Sequence, residues 1–173
     1  MDRRQQKTRA AIFGAFSVLL SKENYNKITV QEIIDQANIG RTTFYTHFET
    51  KDDLLKTMCE ELFDHVINGA MVIDHPEAVF CHLLKHLEAN QNLLTLLSSE
   101  NNEIFLRYFK KSLNQLMKQQ FSLKDSKLPE DFLINHISSS FVEMVIWWID
   151  TKQRQSAEEL DYYFHYIIDP IIK

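Results

Sequence analysis

The sequence predicts an all-α fold, and three observations support this prediction. Apolar residues recur at helical spacing in successive segments of the 173-residue chain, which is the primary sign of amphipathic helices. Only three glycines and three prolines are present, which implies few turns and favours long helices over many short strands. Three apolar segments follow a Thr or Ser with Glu or Asp three residues later, the signature of a helix N-terminus.

The first predicted helix covers residues 3–20. Its apolar face comprises Ile12, Phe13, Phe16, Leu19 and Leu20. Its first turns are basic, with Arg3, Arg4, Lys7 and Arg9. Cations at a helix N-terminus oppose the helix dipole, and a bound anion would offset that cost. The alternative is a frayed and solvated basic tail.

The second predicted helix begins after Thr29 and has clear start and stop signals. Thr29 and Glu32 form a capping box. The buried stripe that follows comprises Val30, Ile33, Ile34 and Ala37. Asn38 can adopt the left-handed conformation that ends a helix. Gly40 can then cap the next helix, although Gly is a weaker cap than Ser or Thr.

The third predicted helix, residues 41–47, combines an aromatic side with a face of short polar groups. At about 100° per residue, Phe44 and Phe48 lie together on the buried side. The opposite arc carries Thr42, Thr43, Thr46 and His47, and Arg41 and Tyr45 share one flank. Two short helices joined by a tight turn form the helix-turn-helix pattern, whose second helix enters the DNA major groove. Arg41 could pair with a guanine, and Thr42 could contact a thymine methyl group.

Charge separates the chain into a basic head and an acidic body. Residues 1–51 contain 8 Lys/Arg and 5 Asp/Glu, whereas the rest contains 11 Lys/Arg and 19 Asp/Glu. The net charge of -5 excludes a wholly basic nucleic-acid binder. The split predicts an anionic partner at the head only.

The remaining sequence predicts six more helices, with no internal repeat between them. They cover residues 50–68, 74–89, 92–97, 103–121, 129–152 and 156 to the end. Thr50 with Asp53, and Ser156 with Glu159, are the N-terminal signals of two of them. One stripe on the last helix comprises Leu160, Tyr163, Phe164, Ile167, Ile168 and Ile171.

Residues 9–55 resemble the DNA-binding domain of the tetracycline-repressor (TetR) family, through the segment ITVQEIIDQANIGRTTFYTHFETKDDLL. The resemblance implies an N-terminal three-helix helix-turn-helix domain, residues 1–50. It also implies a helical effector-binding and dimerisation domain, residues 51–173. The implied function is that of a homodimeric transcriptional regulator, most often a repressor released by a small molecule. Two heads about one groove turn apart, or a multiple of it, would fit a pseudo-palindromic operator.

The resemblance also implies roles for individual residues. Positions that usually hold backbone phosphates match Thr29, Thr43, Tyr45, His47 and Lys51. Positions that read bases match Arg41 and Thr42, and Thr46 lies on the same exposed arc. The chain departs from the family at Gly40, where Ser or Thr is common, so a side-chain phosphate contact from that cap is lost.

The C-terminal segment SSSFVEMVIWWIDTKQRQSAEEL resembles a TetR subgroup that includes regulators of dihydroxyacetone-kinase operons. The final two helices could form the dimer as a four-helix bundle. We expect its seam to include Trp148, Leu160, Tyr163, Phe164, Ile167 and Ile168. We expect an effector site to involve Tyr108, Phe141, Glu143, Met144 and Trp147, with plain packing as the alternative. The subgroup often has small residues at the positions of Phe141 and Glu143. The resemblance therefore does not carry the subgroup's ligand over to this chain.

Other functions have weaker signals in the sequence. His82 and His86 have a spacing that metals use, with Cys81 and His136 as conceivable further ligands, but we expect ordinary histidines and no metal or cofactor. A metal-responsive regulator and a helical interaction protein that does not bind DNA are the alternatives. No catalytic motif is present, so we do not expect an enzyme.

We expect Cys59 and Cys81 to be free thiols in a reducing cytosol. We expect a soluble cytoplasmic protein without a membrane partner, because no signal peptide opens the chain and no apolar run approaches about 18 residues.

Overall fold

A computed structural model of the chain describes residues 3–72, 79–98, 103–121, 123, 126–152 and 154–172. All regular structure within these ranges is helical, so the predicted all-α class is confirmed. The helices are α1 (Arg3–Leu20), α2 (Val30–Ala37), α3 (Arg41–His47), α4 (Lys51–Val72), α5 (Val79–Ala89), α6 (Gln91–Ser98), α7 (Glu103–Gln120), α8 (Glu130–Asp150) and α9 (Ala157–Ile172).

The predicted helix ends are close to the observed ones. The bounds of α1 and α3 are as predicted, whereas α4 continues four residues beyond the predicted end at 68. The start predicted at Asp74 lies outside the described residues. Helix α8 ends two residues before the predicted 152, because Lys152 has a φ of 60°. A left-handed residue of this kind cannot continue a right-handed helix.

The head, α1 to α3, is held together by a small core. Helix α1 packs on α2, and α2 contacts α3, while Phe48 at the C-cap of α3 contacts Phe13 of α1. The fully buried side chains here include Ile12, Phe16, Ile33, Phe44 and Phe48. These are the residues whose spacing predicts the buried faces, so the sequence pattern and the packing agree.

The body is a bundle in which α4 packs against α5 and α7, α7 against α8, and α9 against α5 and α8. Three aromatic rings lie at its centre, with Phe80, Phe141 and Phe164 at centroid separations of 5.2 to 5.8 Å. Helix α8 is long and apolar enough to cross a membrane by length and composition, but 44% of that window is buried inside the protein. Length and composition alone are weak evidence for a membrane span.

Candidate DNA-binding surface

The turn between α2 and α3 is fixed by its own hydrogen bonds. At the start of α2, the Thr29 hydroxyl accepts from the Glu32 backbone N–H at 3.2 Å, and the Thr29 backbone N–H donates to Glu32 Oε2 at 2.7 Å. The predicted capping box is therefore confirmed. At the other end, Asn38 adopts the left-handed conformation (φ 51°, ψ 51°) and Gly40 caps α3 without a side-chain hydrogen bond. These features set the angle at which α3 leaves α2.

Two buried aromatic side chains anchor α3 to the rest of the head. Phe44 is fully buried and Phe48 is almost so, with ring centroids 5.9 Å apart. Phe48 also packs on Phe13 of α1 at 5.7 Å. A helix of seven residues is too short to be stable alone, so this packing holds it in place and determines which side faces solvent.

The solvent-facing side of α3 consists of Arg41, Thr42, Tyr45 and Thr46, all of which are exposed. The Arg41 guanidinium lies 5.7 Å from the centroid of the Tyr45 ring, and its Nη1 donates to Gln31 Oε1 at 3.5 Å. The Thr46 hydroxyl donates to the Thr42 carbonyl at 2.8 Å, so it presents its oxygen outward as an acceptor. We call these four residues the α3 face.

The other residues predicted to contact DNA lie around this face, each in a different environment. Thr43 and His47 are half-buried on the flank of α3. The Thr29 hydroxyl donates its hydrogen to Glu32 Oε2 at 2.7 Å. That hydrogen is therefore already used within the capping box.

Lys51 has a structural role that its sequence position does not reveal. Its ammonium group donates to the carbonyl oxygens of Tyr25 at 2.8 Å and of Ile28 at 2.7 Å. It also lies 4.3 Å from the centroid of the Tyr25 ring. Desolvation lowers the pKa of Lys51, with the nearby acids Asp52 and Glu32 acting in the opposite direction. Two of the three donors of this lysine thus join α4 to the loop before α2, and one remains for an outside partner.

Arg9 is likewise engaged inside the protein rather than in the basic N-terminal cluster. It forms an ion pair with Glu61 of α4. Its guanidinium also lies over the rings of Phe13 and Phe48, at 5.5 and 5.2 Å. The charge of Arg9 is therefore already paired inside the protein, with a residue 52 positions away in sequence.

Residues predicted for the dimer seam and residues predicted for the effector site lie together in one groove. An apolar groove of about 300 Å³ between α8 and α9 is lined by Ser140, Met144, Trp147, Tyr163, Phe164, Ile167 and Ile168. Met144 and Trp147, predicted for the effector, thus lie with residues predicted for the dimer seam. Of the lining side chains, Trp147, Tyr163 and Ile167 are exposed. Tyr166 and Ile171 of α9 are exposed as well, and we call these five residues the α8/α9 face.

The two adjacent tryptophans differ in burial, and the burial of Trp148 corrects its predicted place in the dimer seam. Trp148, predicted for the dimer seam, is completely buried within one protomer, and its Nε1–H donates to the Gln155 carbonyl at 2.9 Å. Trp147 is 45% exposed. Side chains one residue apart on a helix point about 100° apart, so only one of the pair could enter the core, and the sequence did not show which one.

The other predicted effector residues do not converge on one site. Phe141 is fully buried and fills the core between α5 and α9, where it contacts Phe80 and Phe164. Glu143 is exposed, and Tyr108 is half-buried on α7 beside Arg107. Leu160 is buried as well, so it supports α9 from inside.

Comparison with known proteins decides the family. A model described as "Bacterial regulatory proteins, tetR family" matches residues 9–58, and one described as "Transcriptional regulator C-terminal region" matches residues 74–170. The chain belongs to the TetR family. Members of this family bind DNA operators, usually as dimers. The chain is a DNA-binding transcriptional regulator.

Individual TetR proteins resemble this one to different extents. A TetR regulator of Streptococcus agalactiae 2603V with a known crystal structure is 39% identical, covers 96% of both chains and has a TM-score of 0.74. YxbF of Bacillus subtilis (strain 168), a regulator of the HTH type, is 44% identical over 71 residues, 38% of this chain and 19% of YxbF. The dhaKLM operon activator DhaS of Lactococcus lactis subsp. lactis (strain IL1403) is 32% identical over 84 residues, 49% of this chain and 45% of DhaS. The chain thus matches less than half the length of either curated relative.

Proposed function

We propose that this regulator binds a pseudo-palindromic operator as a cytoplasmic homodimer, and that a small-molecule effector in the body changes its DNA affinity. Residues 1–50 bind DNA, and residues 51–173 provide the dimer contact and the effector site. The observation that carries the proposal is the α3 face, with four exposed polar side chains on a helix held rigidly by Phe44 and Phe48.

On this face, Arg41 and Thr42 read bases and the remaining groups position the head. An arginine at the start of a recognition helix can bind guanine O6 and N7 in a bidentate manner. Tyr45 restrains the guanidinium of Arg41 from one side, which reduces the entropy lost on binding. Phosphate contacts come from Thr43, Tyr45, His47 and the third donor of Lys51, which supplies salt-dependent affinity. Thr46 presents its hydroxyl oxygen as an acceptor and lies with Arg41 and Thr42 on the arc that faces the bases. Thr29 contributes to phosphate binding from its position as the N-cap of α2.

The dimer forms through the α8/α9 face. Tyr166 and Ile167 are 72% and 61% exposed in the single protomer, and contiguous exposed apolar surface of this kind marks an interaction site. A second copy of the same two helices buries it as a four-helix bundle. The C2 symmetry of such a bundle matches the symmetry of a pseudo-palindromic operator.

We propose repression as the sign of regulation, because a dimer bound across a promoter needs no further contact to block it. DhaS, which is similar over part of the chain, is named as an activator. The position of the operator relative to the promoter distinguishes the two. A transcription assay with the operator placed either over or upstream of the promoter measures the sign directly.

The DNA-binding test uses fluorescence anisotropy with labelled DNA from the protein's own upstream region, at several salt concentrations. Wild type is compared with the double variant Arg41→Ala, Tyr45→Ala and with Lys118→Ala, which removes an exposed cation from the body. We expect wild type and Lys118→Ala to bind one segment tightly, and the double variant to lose at least about 30-fold in affinity, since one bidentate base contact is worth about 1–3 kcal/mol and a dimer loses one in each head. Equal affinity of all three proteins for their best segment would refute the role of the α3 face.

The dimer test places a charge in the α8/α9 groove. Ile167→Glu is compared with Gln119→Glu, which adds the same charge at an exposed position on α7. Light scattering after size exclusion is expected to show a dimer for wild type and Gln119→Glu and a monomer for Ile167→Glu. Operator affinity falls by about 100-fold or more for the monomer, because the second head no longer binds intramolecularly. A dimeric Ile167→Glu protein would show that another surface forms the assembly.

A further inference from the structure

Three histidines come together where α4 packs against α5. His82 and His86 lie one turn apart on α5, as their spacing predicts, and His65 of α4 completes the cluster. The imidazole centroids of His65 and His86 are 4.6 Å apart, those of His82 and His86 are 4.6 Å apart, and those of His65 and His82 are 6.3 Å apart. We call these residues the histidine cluster. The third member, His65, differs from the further ligands that the sequence suggested, Cys81 and His136.

These centroid separations are close to those expected for imidazoles that bind one metal ion. With metal–nitrogen bonds of about 2.0–2.1 Å and tetrahedral angles, the ring centroids of two histidine ligands lie about 5.2 Å apart. The three observed distances lie on both sides of this value, and each differs from it by about 1 Å or less. As the side chains are placed, no group of three His, Cys, Asp or Glu residues in the described ranges already has the arrangement of a metal site. Binding therefore requires rotation of the rings, and His65 is free to rotate because its side chain is exposed.

One ring nitrogen in the cluster lacks a protein partner. His82 Nε2 is buried, and among the described residues it has no hydrogen-bond partner. A buried polar atom without a partner costs free energy unless a water or ion satisfies it.

We propose that His65, His82 and His86 form a binding site for a divalent transition-metal ion, with zinc as the reference ion. Three imidazoles without a thiolate or carboxylate suit zinc, copper and nickel rather than magnesium or calcium. Three protein ligands leave a fourth position open for water or for a donor atom of another molecule. Because the ligands come from two helices, the ion ties α4 to α5.

The test is zinc titration of purified, tag-free protein that has been treated with a chelator and exchanged into chelator-free buffer. Isothermal titration calorimetry measures stoichiometry and affinity, and cobalt substitution gives a visible absorption band that reports tetrahedral coordination. The variants are His65→Gln, His82→Gln and His86→Gln. The matched control is His136→Gln, which changes an exposed histidine on α8 that stacks only on Phe132 among its described ring contacts.

We expect one zinc per chain in wild type and in His136→Gln, and at least about a 10-fold loss of affinity in each cluster variant, since even removal of a residue that only supports a ligand costs about 10–100-fold. Zinc should also raise the thermal midpoint of wild type but not of the cluster variants. Absence of saturable binding at one ion per chain, or equal binding by wild type and all three cluster variants, would overturn the proposal. If His82→Gln does not fold, the exposed His65→Gln variant decides between the same two results. All of these readouts are independent of DNA binding.

Discussion

Replacement of Lys51 by methionine tests whether this residue is mainly a clamp within the head. Methionine keeps most of the apolar stem but removes the ammonium group, which donates to two carbonyls at 2.8 and 2.7 Å. Hydrogen bonds from a charged group contribute about 1.5–3 kcal/mol each, and the contact with the Tyr25 ring adds about 0.5–1 kcal/mol. Lys51 is only half-buried, so water replaces part of this. We expect a loss of about 3 kcal/mol in the free energy of unfolding.

Urea unfolding followed by circular dichroism measures this loss, at one fixed protein concentration because dimer formation contributes to apparent stability. The matched control is Lys27→Met, which makes the same chemical change at an exposed lysine in the loop before α2. Its free energy of unfolding is expected to stay within about 0.5 kcal/mol of wild type. In a thermal scan the Lys51→Met variant should unfold about 6–12 °C earlier, at about 2–4 °C per kcal/mol for a chain of this size.

The same variant separates the clamp from a phosphate contact. If the third donor of Lys51 binds a phosphate, the slope of log affinity against log salt falls in magnitude by about 1.8 in the folded variant, because a dimer loses one phosphate contact in each head. A Lys51→Met protein that is as stable as Lys27→Met would refute the clamp. The two carbonyl contacts would then contribute nothing beyond what water provides.

Three further changes are predicted from local geometry, and urea unfolding checks each. Gly40→Ser should stabilise α3 by a few tenths to about 1 kcal/mol, because a Cβ there meets only the Thr43 hydroxyl at an ordinary 3.6 Å; an unchanged midpoint would contradict this. Thr29→Ala should cost about 1 kcal/mol. Hydrogen bonds from Thr29 lower the pKa of Glu32, so the contribution of these bonds is present above the ordinary glutamate pKa and is lost as pH falls through the lowered one. The bond from the Glu32 backbone N–H to the Thr29 hydroxyl remains in acid, so a difference between the two proteins that does not decrease at all in acid would argue against the prediction. Trp148→Phe should cost about 2–3 kcal/mol by leaving a carbonyl unpaired and a small cavity. Its emission should shift to the red, since only the exposed tryptophan remains, and emission unchanged from wild type would contradict the assignment.

Local signals predict the head and the helix ends well because they depend on neighbours in sequence. A capping box, a left-handed Asn and a 3.6-residue stripe each involve residues within about one or two turns. The positions of Thr29, Asn38, Phe44 and Phe48 therefore follow from the sequence alone. The extension of α4 beyond residue 68 shows the limit of such local signals.

Contacts between helices could not be predicted, and they change the roles of several site residues. Arg9 looks like part of a free basic cluster until Glu61 and Phe48 are brought beside it. His65 belongs to no local motif, and only the packing of α4 on α5 places it beside His86. Helical periodicity gives the direction of a side chain relative to its own helix, and it does not say which partner helix lies there.

Helix α4 is the element that could connect an effector in the body to the DNA-binding head. Its first turn holds the head through a hydrogen bond from the Tyr25 hydroxyl to Asp52, its middle pairs with Arg9 through Glu61, and its next turn places His65 against α5. A ligand that holds α4 changes DNA affinity only if it binds one orientation of this helix better than another. Coupling of this kind is reciprocal, so operator DNA would change zinc affinity by the factor by which zinc changes operator affinity. Equal zinc affinity with and without operator would make the histidine cluster a structural tie between α4 and α5, and the effector that moves the heads would then bind elsewhere in the body.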